Sequence, residues 1–123
     1  MAMATPNVQD SSSQQSAIAV GNLAVNLDNF RVAIGGEIVD LTYHEMELLR
    51  LFLDNPNRIL SYDTLARGIW GNAERLTLRH LNVLVHRLRS KLAGSHPYSI
   101  ETVRGRGYGL LKAREAENSN EWA

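Results

Sequence analysis

The sequence predicts an α+β domain, with a small N-terminal antiparallel sheet, then a three-helix bundle, then a C-terminal β-hairpin. Three observations carry this. Apolar residues alternate in short runs over residues 17–41. From Leu41 onward the apolar period becomes helical, in three segments that each open on a capping residue. Two strand-like runs then flank residues 102–109, TVRGRGYG.

Within 17–41, Leu23, Val25 and Leu27 alternate, as do Val32 and Ile34. Asp28-Asn29 and Gly35-Gly36 punctuate these runs, and Gly-Gly suits a two-residue hairpin that needs positive φ. Thr42-Tyr43-His44-Glu45 fits a capping box, with Leu41 and Met46 placed for a hydrophobic staple. Met46, Leu49 and Leu53 continue one stripe, which should stop at Asn55-Pro56 because a residue before proline resists the helical region. Ile59-Leu60 reads as an extended link. Ser61 caps a second helix with Leu65, Ile69 and Trp70 inward and Gly71 closing it. Residues 71–76 read as a loop, and Thr77 as the cap of a third helix reaching about Leu92. Leu78, Leu81, Val85, Leu88 and Leu92 fall on one stripe at about 100° per residue. Strands are expected at 99–103 and 108–112. Residues 1–16 are rich in Ser and Gln and read as a disordered lead, the domain as 17–112, and 113–123 as a flexible tail in which Trp122 is not core.

The 123 residues suffice for one domain with a modest core, and 44% of them are hydrophobic. No apolar run spans a membrane, no signal-peptide pattern opens the chain, and cysteine is absent. The expected location is cytoplasmic, and disulfides and thiolate metal sites are excluded. Net charge is zero but unevenly spread. Residues 1–74 hold four arginines against nine acids, whereas residues 75–106 hold seven basic residues against Glu101 alone. A neutral chain with one basic third can bind a polyanion, because the local field decides.

The basic third is organised. Away from its apolar stripe, the third helix presents Arg79, His80, Val83, His86, Arg87, Ser90 and Lys91, with Asn82 and Arg89 at the margin. This set can read base edges: Arg to guanine O6 and N7, Asn to adenine, Val to a thymine methyl. An ordinary solvated helix face mixes Glu with Lys. Here no acid stands between Arg75 and Glu101, a self-repelling arrangement unless a polyanion answers it. The stretch TVRGRGYG is not a Walker loop, since no Gly-Lys-Ser/Thr ends it, nor a dinucleotide fingerprint, since its spacing is GxGxG and a strand follows. Ile100 and Val103 before it, and Tyr108, Leu110 and Leu111 after it, make it a hairpin whose tip is Arg104-Gly105-Arg106-Gly107.

A helix-turn-helix followed at once by such a hairpin is a winged helix-turn-helix. With Leu41-Thr42-x-x-Glu45-x-x-Leu48-Leu49, Asn55-Pro56, Ser61 and Leu65, Trp70-Gly71, Arg87-Leu88-Arg89-x-Lys91-Leu92 and Thr102-Val103-Arg104-Gly105-x-Gly107-Tyr108, the chain resembles the C-terminal effector domain of OmpR/PhoB-family response regulators over roughly residues 18–112. The resemblance implies a four-stranded N-terminal sheet, a three-helix bundle and a wing, used for sequence-specific double-stranded DNA binding in two-component transcription control. It places helix 77–92 in the major groove as the recognition helix and the wing, 99–112, in the minor groove. It implies a base contact for Arg87, phosphate contacts for Arg79, His86 and Arg89, and backbone contacts for Trp70 and Tyr108. Arg104 would enter the minor groove, supported by Thr102, while Arg106 occupies a variable position with an electrostatic role. Loop 71–77 corresponds to a segment that contacts RNA polymerase in some relatives. His80 stands where relatives often have a phosphate-binding Thr, Asn82 replaces the common Asp, and Leu84 replaces a polar residue. Relatives pair on tandem half-sites, largely through a receiver domain; the 123 residues contain no receiver pattern, so the expectation is an excised or standalone effector, monomeric in isolation and paired on DNA.

Two other classes compete. A winged helix can serve as a protein-interaction module, which predicts no salt-dependent binding to duplex. An enzyme is disfavoured: His44-Glu45-x-Glu47-Leu48 lacks the second histidine of H-E-x-x-H, and His80 and His86 lie six apart rather than four. No cofactor or metal is expected.

Overall fold

Alternation in the first forty residues produces strands because one side of each is covered. Leu23, Val25 and Val32 are buried while Ala24 between them is exposed. The protein, a computed structural model, is described here over residues 17–113, so the lead 1–16, nearly all of the tail and Trp122 lie outside the described residues. Strands β1 (Ala17–Val20), β2 (Leu23–Asn26), β3 (Arg31–Ile34) and β4 (Glu37–Val39) form an antiparallel sheet in sequential order. Val25 pairs with Val32, and Gly35 and Gly36 turn the chain with φ of 57° and 90°. That is the positive-φ hairpin expected of a Gly-Gly pair.

The capping box forms as expected. The Glu45 amide donates to Thr42 Oγ1 at 3.2 Å and the Thr42 amide donates to Glu45 Oε1 at 2.8 Å, opening helix α1 (Tyr43–Asp54). Met46, Leu48, Leu49 and Phe52 are its buried apolar residues, and Leu53, expected on the stripe, is only half-buried. Ser61 Oγ accepts from the Thr64 amide at 3.0 Å and opens α2 (Tyr62–Trp70), which closes on Gly71 in the left-handed region. Here Leu65 and Ala66 fill the core, while Ile69 and Trp70 stay half-buried at its edge.

Helix α3 differs from expectation at its start. It runs Arg75–Lys91, three residues earlier than a Thr77 cap allows. The cause is Asn72, whose side-chain carbonyl accepts from the Glu74 amide at 3.1 Å and from the Thr77 hydroxyl at 2.5 Å. Thr77 is thus a buried first-turn residue, and the loop shrinks to 71–74. Leu84 is buried, whereas Leu78, expected in the stripe, is half-buried.

The extended link before α2 is a third strand of the wing sheet. β5 (Leu60–Ser61) pairs with β7 (Gly107–Lys112), which pairs with β6 (Tyr98–Val103), in the order β5-β7-β6. The approach is so close that a Cβ on Gly107 would lie 1.8 Å from the Leu60 carbonyl oxygen. Gly107→Ala must push β5 off the wing, and we expect a loss of about 2–3 kcal/mol, checked by urea denaturation. Asn22, between β1 and β2, ties the first sheet to the turn after α3. Its side-chain Nδ2 donates to Gly94 O at 3.1 Å and its Oδ1 accepts from the His96 amide at 2.8 Å. One core of Leu23, Val25, Val32, Phe52, Leu65, Leu81, Leu88, Ile100 and Leu110, among others, joins both sheets to the three helices. Helix α3 is therefore packed against the core along Leu81, Leu84, Val85 and Leu88, with its other side open.

Candidate nucleic-acid interface

The uncovered side of α3 is the basic one. Arg79, His80, Asn82, Val83, His86, Arg87 and Ser90 are all exposed, and Val83 keeps 49% of its surface. Among the described residues, Arg79 and Arg87 make no ion pair, and neither do Arg104 and Arg106 at the wing tip. Their guanidinium donors are thus available to a partner. Starting α3 at Arg75 adds one residue that sequence reasoning left in a loop. Arg75 is exposed and, at about 100° per residue, lies on the same side as Arg79 and His86. The misplaced cap hid it.

Five expected contacts turn out to be engaged within the protein: Lys91, Arg89, Thr102, Tyr108 and Asn82. Lys91 Nζ donates to Glu45 Oε1 at 2.7 Å, joining the last turn of α3 to the first turn of α1. Glu45 is 1% exposed. Burial pushes its carboxyl up, but the Lys91 hydrogen bond, the Thr42 amide and hydroxyl and the Lys91 charge together outweigh it and hold the group below its ordinary value. Lys91 therefore carries a structural ion pair while remaining exposed. Arg89 is half-buried and spans to the wing: Nε donates to Ile100 O at 3.2 Å and Nη2 to Thr102 Oγ1 at 2.6 Å. Thr102 is exposed but accepts this bond. Tyr108 is buried, its ring edge-on to Tyr62 at 5.4 Å, and its hydroxyl donates to Asn82 Oδ1.

These bonds register the wing against the helix. The tip itself turns at Arg104-Gly105-Arg106, closed by the Arg106 amide donating to Val103 O at 2.9 Å. Both tip arginines are exposed. On the opposite flank, Trp70 is half-buried between His44 of α1, 5.4 Å between ring centroids, and His80 of α3, 6.3 Å away. Helix face, wing tip and indole edge thus form one surface whose cations face outward. It suits a polyanion with grooves: a helix-wide ridge beside a two-arginine arm.

Comparison with known proteins agrees with this architecture. The family described as "Transcriptional regulatory protein, C terminal" matches residues 35–110. The chain is 35% identical over 99 residues to the response regulator ArlR of Staphylococcus haemolyticus, covering 77% of this chain and 44% of that protein. It is 35% identical over 107 residues to the cell cycle transcriptional regulator CtrA of Caulobacter vibrioides, covering 85% and 46%. The chain thus spans just under half the length of the curated relatives it matches. Among solved structures, the RstA DNA-binding domain of Klebsiella pneumoniae in complex with the RstA box superposes with a TM-score of 0.69 at 30% identity, covering 77% of this chain and 96% of that one. The DNA-binding domain of CpxR from E. coli, at 24% identity and a TM-score of 0.67, shares the fold. Sheet, helix bundle and wing occur here in the order those domains have, and the chain belongs to the OmpR/PhoB family of transcriptional regulators through its winged helix-turn-helix domain.

Proposed function

We propose that this chain binds double-stranded DNA sequence-specifically, as the effector domain of a two-component response regulator controlling transcription. The observation that carries the reading is the exposed face of α3, cationic along its length and without an acid from Arg75 to Lys91, set beside a wing tip with two unpaired arginines. In this reading α3 lies in the major groove, where Arg87 reads a base and Arg79 and His86 meet phosphates. His80, Val83 and Ser90 line the same groove. Arg104 enters the minor groove, Arg106 adds field, and Trp70 lies against the backbone. Residues 17–112 act as the binding unit, flanked by a lead and a tail, in the cytoplasm. Residues 71–77, where Leu76 is 60% exposed, supply a contact for RNA polymerase. The domain is monomeric alone and pairs in tandem on DNA.

The test is selection of bound duplexes from a random pool, then titration of selected and random duplexes at several salt concentrations. Selected duplex should bind more tightly at every salt, with affinity falling steeply as salt rises. Equal binding of both overturns sequence-specific reading, and no salt-dependent binding at all favours a protein-interaction module. Arg104→Ala should cost about tenfold where the flanking minor groove is narrow and A·T-rich, and less on G·C-rich flanks.

A further inference from the structure

Asn82 lies about 100° around α3 from the core residue Leu81, at the wing-side margin of the exposed face. Its residue type suggests adenine recognition, which needs Oδ1 to accept from N6 while Nδ2 donates to N7. The structure commits Oδ1 elsewhere. It accepts the hydroxyl of Tyr108, a buried residue of β7 standing 26 positions away in sequence. The phenol has one proton to give, and it goes to Asn82. Burial, reinforced by Tyr62 and opposed by Arg89, raises the phenol above its ordinary value and keeps it a donor. What Asn82 then offers outward is Nδ2 with two N–H groups, on an exposed residue beside the helix–wing junction. Arg89, the other residue at this margin, is likewise tied to the wing through Ile100 and Thr102. The junction between a helix in one groove and a wing in the next is where a sugar-phosphate strand must pass.

We propose that Tyr108, through its hydroxyl, turns the Asn82 oxygen toward β7 and fixes the amide so that its Nδ2 grips a phosphate oxygen at this junction, and Asn82 anchors the DNA backbone and reads no base. Tyr108 is the positioning residue and Asn82 the binding residue. A carboxylate held the same way would present an anion to the phosphate, so the amide is the feature that makes the contact favourable.

The inference rests on the DNA-binding reading, and the experiment separates the two. The full chain is titrated by fluorescence anisotropy against a selected duplex and all its single-base-pair variants. Asn82→Ala should weaken binding about tenfold on every duplex alike, leaving the preference at each base pair unchanged. Asn82→Asp should weaken it further, again uniformly. Tyr108→Phe, which keeps the ring, should cost about the same factor as Asn82→Ala and nothing more in the Asn82→Ala background. A cost of Tyr108→Phe that persists in that background makes Tyr108 a packing residue and overturns the proposal. A changed preference at any base pair in Asn82→Ala shows base reading and also overturns it. Asn82→Ala leaves Tyr108 and its packing in place, so this arm decides even if Tyr108→Phe lowers the melting temperature. If the wild-type chain selects no duplex, the DNA-binding reading fails, and the inference with it.

Discussion

Arg87→Ala lowers affinity for a selected duplex by about 1–3 kcal/mol, about 5- to 150-fold, and flattens the preference at one base pair. The magnitude follows from what the guanidinium loses. Arg87 is exposed, makes no ion pair among the described residues, and stands on the outward side of α3 with Leu84 and Leu88 buried beneath the helix. Its planar fork can meet guanine O6 and N7 together, a contact that no water arrangement of the alanine variant replaces. Arg87→Lys restores charge but not the fork, so it should recover non-specific affinity and salt slope without recovering the base preference. The measurement is titration of each variant against the selected duplex and its single-base-pair variants. A loss spread evenly over all duplexes would make Arg87 a phosphate contact and move base reading to another residue of the face. Folding should be unaffected, because the side chain is outside the core.

Glu45→Ala destabilises the fold by about 2–4 kcal/mol. Two losses add. The Thr42 amide loses its 2.8 Å acceptor at the start of α1, and Lys91 loses the carboxylate that anchors the end of α3. Glu45 is 1% exposed, so the vacated volume lies inside the protein. The effect depends on pH in a definite direction. The folded carboxyl titrates below its ordinary value of 4.5, so its stabilisation is fully present above that value and is lost as pH falls through the folded one. Wild type should therefore lose more stability than Glu45→Gln below about pH 4.5, and the two curves should run parallel above it. Urea denaturation from pH 7 to pH 3 checks this, and parallel curves throughout would remove the ion pair from the account. Lys91→Met should likewise lower stability while leaving the salt dependence of DNA binding unchanged, because the cation is already matched inside the protein.

Much of the fold was legible because its causes are short-range. The capping box of Thr42 and Glu45, the Ser61 cap, the Gly35-Gly36 hairpin and the Gly71 stop each depend on groups within four residues. The basic face of α3 was legible for a related reason: helical period alone sorts Arg79, His86 and Arg87 away from Leu81, Val85 and Leu88. The start of α3 was misplaced because the chain enters the helix at Glu74, which makes no side-chain cap, while Thr77 gives its hydroxyl to Asn72 across the turn instead of capping. Strand β5 was illegible at two residues, too short for any alternation to register. It exists because β7 presents a glycine where the Leu60 carbonyl must approach.

The sequence by itself determined that a cationic helix face stands next to an arginine-tipped hairpin, since both follow from residue type and local period. Only the tertiary structure decided which polar residues of that face are free to act. Lys91 is taken by Glu45, 46 residues away; Asn82 Oδ1 by Tyr108, 26 away; and Arg89 by Thr102, 13 away. Each polar group at a helix margin has water and protein partners within reach, and folding selects between them by bringing distant donors and acceptors to hydrogen-bond distance. No local pattern encodes that choice, because the partner's position is set by the packing of the core beneath both.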